Sequence, residues 1–148
     1  MKNIGDYETI VNGTKTLTQL VKECSSSNGD HLNEKDFPIK DGSNRKVTIS
    51  LFDFKDEFNK GEKLSDSSIV YWMKEKGYRP TFTEELLSLK IAHPDLYCGA
   101  GLVSLGSKST TSFLYLVVGT EGNVYQSLWK FARGQYFHGG YFFPAVKI

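Results

Sequence analysis

One break in character constrains the fold of this chain more than anything else in it. Up to Pro94, apolar residues recur at helical spacing in several windows; beyond Pro94 they come in short runs divided by glycine-containing turns. Residues 102–105, 113–118, 124–131 and 141–148 read as strands. Thr120-Glu121-Gly122-Asn123 is a tight-hairpin signal between the second and third of these. Helices first and hairpin-linked strands after predict an α+β fold, with N-terminal helices packed on a mainly antiparallel sheet. At 148 residues the chain is sized for a single domain spanning 1–148, helix-rich over 1–95 and sheet-rich over 96–148.

The first half carries its own punctuation. Residues 7–11 read as a short strand closed by Asn12-Gly13, and Leu17, Leu20, Val21 and Cys24 as one helix face capped by Thr14 or Thr16. Residues 25–30 are loop chemistry, and Phe37-Pro38-Ile39 is a short apolar anchor. In residues 46–54, Val47, Ile49 and Leu51 alternate with Thr48 and Ser50, which predicts a half-buried strand. Phe52 and Phe54 fall on its polar face, so something should cover that end. A charged loop over 55–63 leads to a helix capped by Ser65 or Asp66, with Ile69, Val70 and Met73 as its stripe and Gly77 just past its end. Thr81-Phe82-Thr83-Glu84 matches a capping box for the next helix, whose buried face would be Phe82, Leu86, Leu87 and Ile91 before Pro94 stops it.

Composition excludes more chemistry than it suggests. The net charge is +1, so no whole-chain attraction to nucleic acid or membranes is expected. His31, His93 and His138 show no metal-ligand spacing, and neither a metal nor a cofactor is expected. Cys24 and Cys98 read as two reduced, partly buried thiols. Glu84 and Glu85 suit a helix's first turn better than acid–base work. The opening residues lack a secretory apolar run and no 18-residue apolar stretch occurs, so a cytoplasmic protein without a membrane span is the expectation.

What remains is an uneven distribution of charge and aromatics. Residues 1–95 carry 14 Lys/Arg and 16 Asp/Glu, whereas residues 96–148 carry 4 and 1, net +3. Eight aromatics fall within the 19 residues 125–143. Between the last two predicted strands, residues 130–141 combine glycines with Arg133, Gln135, Tyr136, Phe137 and His138. A plain connector would be shorter and polar. Aromatics and arginine on a glycine-rich loop are the composition of contact surfaces. By parity Phe137 should be buried, with Tyr136 and His138 exposed. The candidate partner-binding residues are therefore Trp129, Arg133, Gln135, Tyr136, His138 and Tyr141. The reading is a non-enzymatic binding module, an inhibitor or adaptor whose partner is another protein. The alternative is a nucleic-acid-binding domain using the basic C-terminal half, and the third reading is a cysteine-dependent enzyme with Cys98 as nucleophile and His93 or His138 as base.

Several stretches resemble a family of small uncharacterised bacterial proteins, in the order G-L-R-P-A-T, E-L-L-A, A-H-P-E-L, I-V-A-L-G-S and R-F-L-A-V-R. The matching residues are Gly77-Tyr78-Arg79-Pro80-Thr81, Glu85-Leu86-Leu87, Ala92-His93-Pro94-Asp95-Leu96, Leu102-Val103-Ser104-Leu105-Gly106-Ser107 and Tyr141-Phe142-Phe143-Pro144-Ala145-Val146-Lys147. The resemblance covers about residues 37–148, departs at Pro144 and Lys147-Ile148, and implies organisation but no activity. Arg79-Pro80-Thr81 with Glu84-Glu85, and Phe143-Pro144-Ala145-Val146, are similar to C-type-lectin-like domains. The E-P-N, Q-P-D and W-N-D motifs of calcium-dependent sugar binding are absent, so that likeness implies a calcium-independent platform whose loops bind.

Overall fold

The computed structural model describes residues 1–24, 34–108, 114–121, 125–132 and 136–148, as backbone over 107–108, 114–121 and 125–132. Strands β1 (Lys2–Asn12) and β2 (Asn44–Asp53) flank helix α1 (Leu17–Cys24). Helices α2 (Lys55–Asn59) and α3 (Asp66–Glu75), the short strand β3 (Tyr78–Pro80) and helix α4 (Thr83–Ala92) follow. Strands β4 (Gly101–Lys108), β5 (Leu114–Glu121), β6 (Tyr125–Ala132) and β7 (Tyr141–Lys147) complete an α+β fold.

One seven-stranded sheet takes the order β1-β2-β7-β4-β5-β6, with β3 pairing β7 as well. All pairs are antiparallel except β4 with β7, where Gly101 and Leu102 run parallel to Tyr141 and Phe142. The last strand thus lies in the middle. It joins the β1–β2 hairpin to the three strands that follow Pro94.

Alternation along the strands builds two cores. Ile49, Leu51, Leu102 and Val146 face α1 and α4, packing with Leu17, Leu20, Phe37, Leu86, Leu87 and Leu89. Phe52, Val103, Phe143 and Ala145 face the other way, onto Phe54, Leu64, Phe137 and the α3 residues Ile69 and Met73. The cover predicted over Phe52 and Phe54 is therefore α3, with Trp72 stacked 5.4 Å from Phe54. Ile49 and Leu51 are fully buried and Val47 half-buried, as the alternation predicts.

Caps account for most helix starts. Thr16 Oγ1 accepts from Gln19 N–H while Gln19 Oε1 accepts from Thr16 N–H, a reciprocal box that selects Thr16 over Thr14. Ser65 Oγ accepts from Ser68 N–H and starts α3. Gly77, at φ +80°, follows α3 in the left-handed region that glycine tolerates.

Four expectations need correction. The first strand is eleven residues long, not five, because an edge strand with one solvated face needs few apolar residues. The charged stretch 55–63 holds the one-and-a-half-turn helix α2, with Asp56 and Glu57 in its first turn, where the helix dipole favours acids. Tyr78–Pro80 pairs with β7 as a strand, which proline permits at an edge. The box predicted for Thr81 and Glu84 sits one residue later. Phe82 is the N-cap, and Glu85 Oε2 accepts from Phe82 N–H at 2.8 Å. Thr81 is instead fixed between strands: its hydroxyl donates to Ser104 Oγ, and its N–H to the Pro144 carbonyl.

Helix α4 is buried on every side from Thr83 to Lys90, rather than along the stripe expected. Its acidic first turn survives burial because guanidinium groups surround it. Arg79 makes two parallel bonds to Glu85, at 2.7 and 3.0 Å, and Arg45 reaches both Glu84 and Glu85. Glu84 also accepts from the Lys40 and Asp41 N–H groups, tying the loop before β2 to the helix. At the other end Lys90, also buried, donates to the Pro94 and Leu96 carbonyls and completes the helix C-terminus.

A candidate binding cleft at one end of the sheet

The predicted contact loop is shorter than expected because β6 continues to Ala132. Phe137 is buried and its N–H donates to the Leu64 carbonyl, so this point of the segment is pinned into the core beside Phe143. Tyr136 and His138 on either side of it are exposed. That parity matches the expectation. The two side chains nevertheless occupy different surroundings. Tyr136 lies under Lys63 Nζ, 5.2 Å from its ring centroid. His138 turns toward Gly140, accepting that N–H at Nδ1, and lies 4.5 Å from the Tyr141 ring. Acceptance at Nδ1 places the neutral ring's proton on Nε2. Tyr141 is half-buried between Phe137 and His138, and burial raises its hydroxyl pKa. Trp129 belongs to β6, paired with Val117, while Arg133 and Gln135 lie outside the described residues.

His138 and the glycines after it form one wall of a cleft of about 450 Å³. It opens where β2 ends and β4 and β7 begin. Asp53 and Phe142 are cross-strand partners there, so their side chains share a face. The segment after Pro94 supplies Tyr97, whose ring meets Phe142 edge-on at 5.9 Å. The start of α2 supplies Lys55 and Phe58. The floor is made of Gly99, Ala100, Gly139 and Gly140.

Two positions of that floor, 99 and 140, are glycine for steric reasons. A Cβ on Gly99, at φ +57°, would lie 2.4 Å from the Gly140 oxygen and 3.1 Å from the Phe142 ring. One on Gly140 would lie 2.8 Å from the His138 ring. The Ala100 N–H donates to the Gly140 carbonyl at 2.9 Å, so the two segments that lead into β4 and β7 are stitched together beneath the opening. Above it, Tyr97 is 76 % exposed and Phe58 43 %, two large rings left facing water across a fixed floor.

Cys98 lies outside the cleft, buried, with its thiol donating to the Leu96 carbonyl. Cys24 is also buried, and that burial pushes its thiol up to about 12. Among the described residues, no group of three His, Cys, Asp or Glu side chains is placed to hold a metal ion, and no helix is long and apolar enough to cross a membrane.

Four of the cleft's side chains escaped the sequence reading. Asp53 and Phe142 look like ordinary strand residues, and only their register brings them together. Phe58 is a lone aromatic in the charged run KDEFNKGEK, and Tyr97 stands directly before Cys98-Gly99-Ala100-Gly101. Those two positions were the readable signal, since neither neighbourhood provides apolar company for a buried ring.

Comparison with known protein families, with curated proteins and with solved structures found no match. The fold and the cleft therefore define a class: an α+β domain with an aromatic-walled cleft at the end of its sheet.

Proposed function

We propose that this chain is a non-enzymatic binding module that grips another protein, as an inhibitor or adaptor, at the end of the sheet carrying the cleft. The observation that carries the reading is the pair of exposed rings, Phe58 and Tyr97, held across a floor of small residues in which Gly99 and Gly140 have no room for a Cβ. Apolar area left in water costs about 25 cal/mol per Å². Aromatic anchors beside a preformed pocket are where binding energy concentrates when a partner covers them. Tyr136, exposed on the other side of the buried Phe137, adds a further ring to this end of the molecule. This arrangement is the kind of calcium-independent loop platform that the likeness to C-type-lectin-like domains implies.

Selection from a displayed peptide library tests it. Peptides enriched on the wild-type protein should weaken at least ~30-fold on the Phe58→Ala/Tyr97→Ala double variant, the range of a hot-spot loss. The melting temperature should be nearly unchanged, because both rings are already exposed. Selected peptides that bind the double variant as well as wild type would move the site elsewhere.

A further inference from the structure

Building on that reading, we infer that the cleft takes an arginine side chain of the partner. The molecule contains its own template for such a contact. The Arg79 guanidinium lies 4.1 Å over the Phe82 ring, and its edge makes two bonds to the Glu85 carboxylate. A ring under the face and a carboxylate at the edge satisfy a guanidinium on both counts, since it is planar, weakly hydrated and forked.

The cleft presents the same two elements, with one cation of its own, Lys55, in the lining. Phe58, Tyr97 and Phe142 supply ring surface. Asp53 supplies the carboxylate, on the same face as Phe142. Its Oδ1 accepts the Lys55 N–H at 3.3 Å, which fixes the side chain at the strand end. Asp53 takes part in no ion pair among the described residues, whose ion pairs run through Glu8, Glu23, Asp41, Glu57, Glu84 and Glu85. Asp53 also acts on the Met1 ammonium, whose ion pair is with Glu57, and a half-buried carboxylate that shares a cleft with aromatic rings is complementary to a cation that stacks. A lysine ammonium fits less well, being a compact, strongly hydrated point charge that gains little from ring faces. The opposing charge is Lys55, which is exposed and takes part in no ion pair among the described residues. The His138 ring adds a further face. At about 450 Å³ the opening is large enough for one long side chain.

The test uses three blocked amino acids, N-acetyl-arginine N-methylamide and its citrulline and lysine counterparts. Each is titrated into ¹⁵N-labelled full-length protein, and the amide signals of Gly99, Gly139 and Gly140 are followed. Citrulline keeps the shape of arginine and removes the charge. Arginine should bind at least ~10-fold more tightly than citrulline or lysine. Asp53→Asn keeps the acceptor for the Lys55 N–H and should abolish the preference without moving the melting temperature. Lys55→Ala should strengthen arginine binding about two- to fivefold, by removing a like charge from the rim. Equal binding of arginine and citrulline would overturn the inference while leaving the cleft a binding site, as would library-selected peptides that need Phe58 and Tyr97 but carry no arginine. Failure of all three compounds to perturb the glycine signals would also overturn it, and the peptide selection would then judge the wider reading separately.

Discussion

At the scale of single residues, Glu85 has the most to lose. Burial by itself would raise its pKa. The hydrogen bonds from Arg79 and from Phe82 N–H, with the charges of Arg79 and Arg45, outweigh burial and hold it below the usual glutamate value. A depressed folded value means that its stabilisation is complete above the unfolded value, about 4.3, and is lost as pH falls through the folded one. Urea unfolding followed from pH 7 to pH 3 should show stability dropping below about pH 4.5, and Glu85→Gln should flatten that drop while lowering stability at neutral pH. Ile49 tests packing instead of charge. It is fully buried, and Ile49→Ala should cost about 2–5 kcal/mol in the same measurement. Cys24 tests what burial does to a thiol. With burial holding its thiol near 12, a thiol reagent at neutral pH should label it only as fast as the chain opens.

At the scale of elements, caps give the cleanest comparison. Thr16→Ala removes an exposed N-cap and should cost about 0.5–2 kcal/mol. Thr81→Ala should also destabilise, but by emptying a buried junction between β3, β4 and β7, with α4 keeping its start through Glu85. Circular dichroism at equal fractions folded would show α4 helicity intact, whereas a capping role for Thr81 would show the helix fraying. These two threonines show how far the sequence could be read. Both head a Thr-x-x-Gln/Glu pattern, and the pattern is local. It succeeds at α1, which begins in solvent, and misses by one residue at α4. There, the tertiary bond from Thr81 to Ser104 competes for the hydroxyl. Strand alternation was similarly reliable at Ile49 and Leu51, whose environment is set by the sheet face they share. The solvated beginning of β1 and the edge strand β3 carried no apolar period to read.

For the whole molecule, the missing information was register. The aromatic loop stood out in composition, and the burial of Phe137 between exposed neighbours followed from parity. Nothing local says that the strand after that loop enters the sheet between β2 and β4. Without that topology, Asp53, Phe58, Tyr97 and His138 are four unrelated positions spread over 86 residues of chain. With it they meet at one opening, because the ends of β2, β4 and β7 converge there.

The central position of β7 also sets the order in which the molecule can assemble. A ribosome releases β7 after every other strand. Until then the β1–β2 hairpin and the β4–β6 meander have no shared edge, and each presents an unpaired row of backbone groups to the cell. The two half-sheets can form early, yet neither core can close and the cleft has no Phe142 wall. Folding should therefore be slow for a chain of this size, on the order of milliseconds to seconds, as pairings of high sequence separation require. A chain ending at Gly140 should expose apolar surface to a hydrophobic dye and aggregate, although it lacks only eight of the 148 residues. Until β7 is in place the opening has neither Phe142 nor the bond from Ala100 to Gly140, so the sheet and the cleft are completed in a single event.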